Sequence, residues 1–252
     1  MTSYSWQLTS PISAIAFDCD GTLSTIEGID ELAKKNNLYE TVSTLTAEAM
    51  GKTGLTPALY EARLNLIKPR REQVEALAEA YLAHQVTDAQ LVIQLLNRLK
   101  KSVYLISAGL YPAVKQFGEK LTIPADHIFA VNIQFDEANN YLSYEKTSPL
   151  TGNNGKREIV AKLKDKHAEI AYIGDGLNDI SVYDIVTRFI GYGGVFPREN
   201  IAARCEYYIR TRSLAALLPL ILTTGEYSSL YESEKKLYQK GLDAIHLGLV
   251  VK

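Results

Sequence analysis

Residues Ile12-Ser13-Ala14-Ile15-Ala16-Phe17 run directly into Asp18-Cys19-Asp20-Gly21-Thr22, and that junction decides how the rest of the chain is read. The apolar run, broken only by Ser13, suits a strand buried on both faces. Side chains of an extended segment alternate, so Asp18 and Asp20 project to one side while Cys19 projects to the other. Two crowded carboxylates repel unless a cation or a shared proton compensates, so the pair reads as a metal site or an acid/base couple. Asp-x-Asp-Gly also closes ordinary turns and strand ends, and only matching parts from distant segments separate the readings.

Working outward, alternating strand and helix patterns follow at a distance. Between residues 28 and 99 the pattern is helical throughout. Thr56-Pro57 reads as a cap with a first-turn proline, and Thr87 with Gln90 as a capping box. Val74, Leu77, Ala78, Tyr81 and Leu82 fall on one helical face, which is core packing. Strand-like sequence returns at Val103-Tyr104-Leu105-Ile106, ending in Ser107-Ala108-Gly109. Ile128 to Phe135 and Tyr141 to Tyr144, joined across Asn139-Asn140, read as a hairpin. A helix is expected to start near Lys156. Ile170-Ala171-Tyr172-Ile173 is a further strand, ending in Gly174-Asp175-Gly176-Leu177-Asn178-Asp179, and two more lie near 189–192 and 207–209. Strands alternating with helices give an α/β fold with a mostly parallel sheet covered on both faces. The expected division is a core of residues 1–24 and 88–225, an inserted helical block of 25–87, and a C-terminal helical extension of 226–252.

Composition bounds the function classes. The 252 residues carry 27 Lys+Arg against 29 Asp+Glu, a net charge of -2, with no basic block of the kind that binds nucleic acid or anionic membrane. Two cysteines are too few for a disulfide scaffold, no apolar run reaches membrane-spanning length, and no targeting segment is visible. A cytoplasmic protein is expected, acting on a small molecule, with no nucleic-acid or membrane partner, as a monomer or homodimer.

In parallel sheets, ligands bind beyond the carboxyl ends of the strands. Three expected strands end there in polar groups: Asp18 and Asp20, then Ser107, then Asp175 and Asp179. Asp175 and Asp179, spaced i, i+4, repel unless a cation or a lysine lies near them. Lys156 sits where the helix dipole disfavours a positive charge, which an anionic ligand explains and a solvated surface lysine also accommodates. Ser107 with small neighbours offers a hydroxyl and a nest of N–H groups suited to phosphate oxygens, although a lone serine is more simply a cap.

Taken together, Asp-x-Asp-Gly-Thr, a strand-end serine, a lysine and Gly-Asp-Gly-x-Asn-Asp resemble the haloacid dehalogenase-like phosphatases. Glu27-Gly28-Ile29-Asp30-Glu31-Leu32-Ala33, Ala49-Met50-Gly51, Arg63-Leu64, Leu105-Ile106-Ser107-Ala108-Gly109 and Ile190-Gly191-Tyr192-Gly193-Gly194 narrow the resemblance to the phosphoserine phosphatase family, over about residues 12 to 222. The resemblance implies a Rossmann-like sheet with an inserted helical-bundle cap, and Mg²⁺-dependent hydrolysis of O-phospho-L-serine through an aspartyl phosphate. By that resemblance Asp18 is the nucleophile and Asp20 the general acid/base. Mg²⁺ is held by Asp18, Asp20 through its backbone carbonyl, and Asp175. Ser107, the N–H of Ala108, Gly109, Lys156 and Asn178 lie against the substrate, and Asp179 orients Lys156 or the metal waters. In the cap, Glu27 takes the ammonium, Arg63 the carboxylate, and Met50 with Gly51 borders the pocket. Two positions depart from the family pattern: Thr56 stands where a pocket phenylalanine is common, and Ala108 where a glycine is usual. The same chemistry on phosphothreonine or a non-amino phosphometabolite, and a non-catalytic phosphate-binding regulator, are the alternatives.

Overall fold

An apolar strand ending in carboxylates needs cover on both faces and open space at its carboxyl end. The computed structural model describes residues 6–251, the side chains of Met50 and Gly51 excepted. In chain order, β1 (Ala14–Phe17) is followed by α1 (Gly28–Lys35), α2 (Tyr39–Glu48), a π-helical turn over Ala49–Thr53, α3 (Pro57–Ile67), α4 (Arg71–Glu75), α5 (Leu77–Ala83) and α6 (Ala89–Arg98). Then come β2 (Ser102–Leu110), α7 (Tyr111–Lys120), β3 (Ile128–Val131), β4 (Ile133–Phe135), β5 (Tyr141–Tyr144), α8 (Gly155–Leu163), β6 (Ile170–Gly174), α9 (Leu177–Ile180) and β7 (Arg188–Tyr192). The chain closes with α10 (Glu199–Ala202), β8 (Tyr207–Ile209), α11 (Leu218–Ile221), α12 (Thr224–Ser228), α13 (Glu232–His246) and β9 (Val250–Val251).

The main sheet has the order β3-β2-β1-β6-β7-β8-β9, parallel except for β9. All four residues of β1 are buried. Phe17 pairs with Leu105 of β2 on one side and Ile173 of β6 on the other, so Asp18, Ser107 and Asp175 emerge at one end of three adjacent strands. The order reverses at β1, where the next strand in sequence lies on one side and β6 on the other, and this opens the crevice in which ligands of such sheets sit. Helices α1 to α5 lie in sequence between β1 and β2. No helix among the described residues is long and apolar enough to cross a membrane.

Three expectations are corrected. The segment 128–135 is two strands, not one hairpin arm. Ile128, Ala130 and Val131 are buried and join the main sheet beside β2, whereas the half-exposed Ile133–Phe135 pairs antiparallel with β5 in a separate ribbon. Thr87 does not cap α6: Asp88 precedes the helix in a left-handed conformation, its carboxylate bound by Ser213 and Lys240. The C-terminal extension is not wholly helical, because its last residues add the antiparallel strand β9 to the β8 edge. The Thr56-Pro57 cap stands, with Thr56 Oγ1 accepting from the Leu59 N–H at 3.2 Å.

Candidate active site

Asp18 is carried out of β1 at the sheet's carboxyl end, with its Oδ1 accepting the Cys19 N–H at 2.7 Å and Lys156 Nζ lying 2.7 Å away. Lys156, the second residue of α8, is only 2 % exposed. Such a charge is tolerated only when paired. Its second partner is Asp179 Oδ1 at 2.6 Å. Asp179 itself is saturated, since Oδ1 also accepts from the Tyr172 hydroxyl and Oδ2 accepts the N–H groups of Asp175 and Gly176. Although burial pulls Lys156 down, the two carboxylates more than offset it and hold the ammonium above its ordinary range. Burial, reinforced by the Asp179 charge, pushes Asp18 up, with Lys156 opposing.

Asp20 faces the same space. Its Oδ1 accepts the Gly28 N–H at 2.5 Å and the Tyr81 hydroxyl at 2.8 Å, while Oδ2 lies 3.4 Å from Ser107 Oγ. Gly28 must be glycine, because a Cβ there would stand 2.1 Å from the Tyr81 hydroxyl oxygen. Ser107 Oγ accepts the Gly109 N–H at 2.8 Å. Burial raises Asp20, and the donors from Gly28 and Tyr81 partly offset this.

Asp175 lies at the end of β6, and its carboxyl is pushed up to about 6 by burial, with the Arg198 guanidinium opposing. Arg198 Nη1 bonds the Asp175 carboxylate and also its carbonyl oxygen, the latter at 2.9 Å. The same guanidinium approaches Glu27 Oε1 at 3.9 Å. Glu27, mostly buried just before α1, is raised by burial and by Asp20 and Asp175. Carboxylate oxygens of Asp18, Asp175 and Asp179 lie within 4.8 Å of one another. Hard oxygen donors at this spacing suit a divalent cation, which would hold Asp18 and Asp175 ionised against the burial that raises them. Asp179, with four donors already on it, is better matched to lysine than to metal.

The opposite wall comes from the helical block. Arg63, on α3, is 4 % exposed and lines the same cavity as Asp18, Asp20, Glu27, Lys156, Asp175, Asn178, Ala108 and Gly109. Its Nη1 donates to Thr46 Oγ1 at 3.2 Å, and its buried Nε has no partner among the described residues. Asn178 Oδ1 is likewise buried without a partner there. Thr56 does not line the cavity; it is exposed at the start of α3, and the aromatics of this wall are Tyr60, one turn further on, and Tyr81 of α5. Met50 and Gly51 lie in the π-helical turn, and their expected place at the pocket border falls outside the described side chains. Tyr60, Tyr81, Thr46 and Arg198 are additions that sequence reading missed. For Tyr60, Tyr81 and Thr46 a helical pattern says nothing of what they face, and Arg198 lies outside any such pattern.

A model of the haloacid dehalogenase-like hydrolases matches residues 12–182. Bovine phosphoserine phosphatase is 34% identical over 198 residues, spanning 78% of this chain and 88% of that one, and the human protein matches equally. The chain belongs to the phosphoserine phosphatase family of haloacid dehalogenase-like hydrolases. Family kinship extends to the phosphoserine phosphatase of Methanocaldococcus jannaschii, 31% identical over 178 residues, spanning 67% of this chain and 80% of that one. Among solved structures, a substrate-bound phosphoserine phosphatase complex superposes with a TM-score of 0.75 at 26% identity, covering 84% of this chain and all of that one. A phospho-aspartyl intermediate analogue of phosphoserine phosphatase gives the same values.

Proposed function

We propose that this chain hydrolyses O-phospho-L-serine to L-serine and phosphate through an aspartyl phosphate on Asp18. The observation that carries the reading is one cavity with reactive carboxylates on its floor and a buried guanidinium, Arg63, with Glu27 on its walls. Arginine takes carboxylates in a bidentate fork and glutamate is a fitting partner for an ammonium, so the walls match an amino acid as the floor matches its phosphate ester.

Asp18 Oδ1 is pinned by Lys156 and the Cys19 N–H, and Oδ2 carries no hydrogen bond among the described residues. That free oxygen forms a bond to phosphorus as the ester oxygen departs. Asp20 Oδ2 is turned into the site and supplies the proton to the leaving serine oxygen, since Oδ1 is occupied by two donors. Water then attacks phosphorus, giving its proton to Asp20 and releasing phosphate and the Asp18 carboxylate, so one hard displacement becomes two easier ones. Lys156, Ser107 and the Ala108 N–H hold phosphoryl oxygens and disperse their charge. Mg²⁺, held by Asp18, Asp175 and the Asp20 carbonyl, would supply Lewis-acid neutralisation of the phosphate. Residues 25–87 act as the cap that selects the substrate, residues 1–24 and 88–225 as the catalytic core, and the setting is cytoplasmic.

Phosphate release from a panel of O-phospho-L-serine, O-phospho-L-threonine, O-phosphoethanolamine and sugar phosphates tests the reading. Preference for phosphoserine is expected; preference for a sugar phosphate would remove the amino-acid assignment.

A further inference from the structure

Arg63 is buried, yet only one of its three nitrogens is engaged among the described residues: Nη1 donates to Thr46 Oγ1, leaving Nε and Nη2 without partners. Nε and Nη2 form one edge of the planar guanidinium, the edge that meets a carboxylate in two parallel bonds. A buried donor is costly to leave unmet, so an orphaned Nε facing a cavity points to a ligand that completes it. What aims that edge is Thr46, which is 2 % exposed. A hydroxyl has a single proton. Thr46 shares its own between Asp30 Oδ1 at 2.8 Å and Val42 O at 3.0 Å, which leaves its lone pairs to accept from Arg63. Asp30, Thr46 and Arg63 sit on α1, α2 and α3, so a chain of two hydrogen bonds ties three helices to one guanidinium.

We infer that Thr46, oriented by Asp30, is a positioning residue for carboxylate recognition: it holds Arg63 by Nη1 so that the Nε–Nη2 edge takes the substrate carboxylate side-on. This rests on the reading of Arg63 given above and adds the mode of contact and the residues that enforce it. Neither Thr46 nor Asp30 lines the cavity of the catalytic carboxylates, and both line a second cavity of about 500 Å³. They act through Arg63 and not on substrate.

The test is the ratio of kcat/KM for O-phospho-L-serine to that for O-phosphoethanolamine, which keeps the phosphate ester and the ammonium and lacks the carboxylate. Arg63→Lys, which removes the fork, is expected to collapse the ratio. Thr46→Val is expected to lower it about ten-fold, chiefly through KM for phosphoserine, with Thr46→Ser restoring it to within about two-fold. Asp30→Asn keeps the shape, removes the charge, and is expected to lower the ratio about three-fold, which carries the test should Thr46→Val not fold. A Thr46→Val or Asp30→Asn protein that loses both substrates in equal proportion, or keeps the wild-type ratio while Arg63→Lys loses it, overturns the inference. If Arg63→Lys itself leaves the ratio unchanged, the reading of Arg63 fails and the inference with it.

Discussion

Lys156 carries its charge in one of the driest places among the described residues, and a set of neighbouring groups depends on it. It bridges Asp18 and Asp179, and Asp179 in turn fixes Tyr172 and the N–H groups that open the turn before α9. Lys156→Met therefore leaves two buried carboxylates uncompensated, and breaking a buried pair from one side costs about 3–5 kcal/mol. Urea unfolding is expected to show that loss together with lost turnover; a variant of unchanged stability would mean that the bridge is not structural. Lys156 was legible in the sequence because a lysine at a helix start offends the dipole and so demands an explanation. Arg198 was not. It is polar, it precedes a four-residue helix, and only the folded chain brings it against Asp175 and Glu27, more than twenty positions away.

At the level of elements, the parallel strands were readable wherever an apolar run met a polar end, because burial on both faces leaves no other pattern. The break between β3 and β4 at Asn132 was hidden, since both halves are apolar and only their exposure differs. The tail was hidden for another reason: its anchors are ion pairs with distant partners. Arg98 grips Glu234 with two bonds of 2.5 Å, Lys101 pairs with Glu226, and Lys240 reaches Asp88 at 2.6 Å. At Gly241 α13 packs against the preceding segment so tightly that a Cβ would stand 2.1 Å from the Ala215 carbonyl oxygen. Gly241→Ala is thus expected to destabilise by about 1–3 kcal/mol through overpacking. Gly225→Ala, with only the Thr223 Oγ1 near at 3.9 Å and a place in α12, is expected to be neutral or stabilising by up to about 1 kcal/mol. Equal thermal melting of the two variants would mean that α13 does not dock as described.

Across the whole molecule, the sheet gathers carboxylates at one end, and their titration couples folding to the cation they fit. Asp175 is pushed up to about 6, and Asp18, Asp20 and Glu27 move the same way, burial being the first cause in each. A carboxyl whose folded value exceeds the ordinary value of about 4 keeps its proton longer in the folded chain, so its contribution to stability is complete below about pH 4 and is lost as pH rises through its folded value, about 6 for Asp175. In EDTA, the melting temperature is therefore expected to fall from about pH 5 to about pH 7.5, with added Mg²⁺ restoring more at the upper end than at the lower. An equal Mg²⁺ effect at both would contradict a cation beside these groups. Catalysis turns on the covalent step at the end of β1. In a single turnover with O-phospho-L-serine, quenched in acid and reduced with borohydride, an aspartyl phosphate becomes homoserine, which peptide mass spectrometry locates. The proposed mechanism predicts homoserine at position 18 alone; serine release with residue 18 unreduced, or reduction at Asp20 or Asp175 instead, would contradict it.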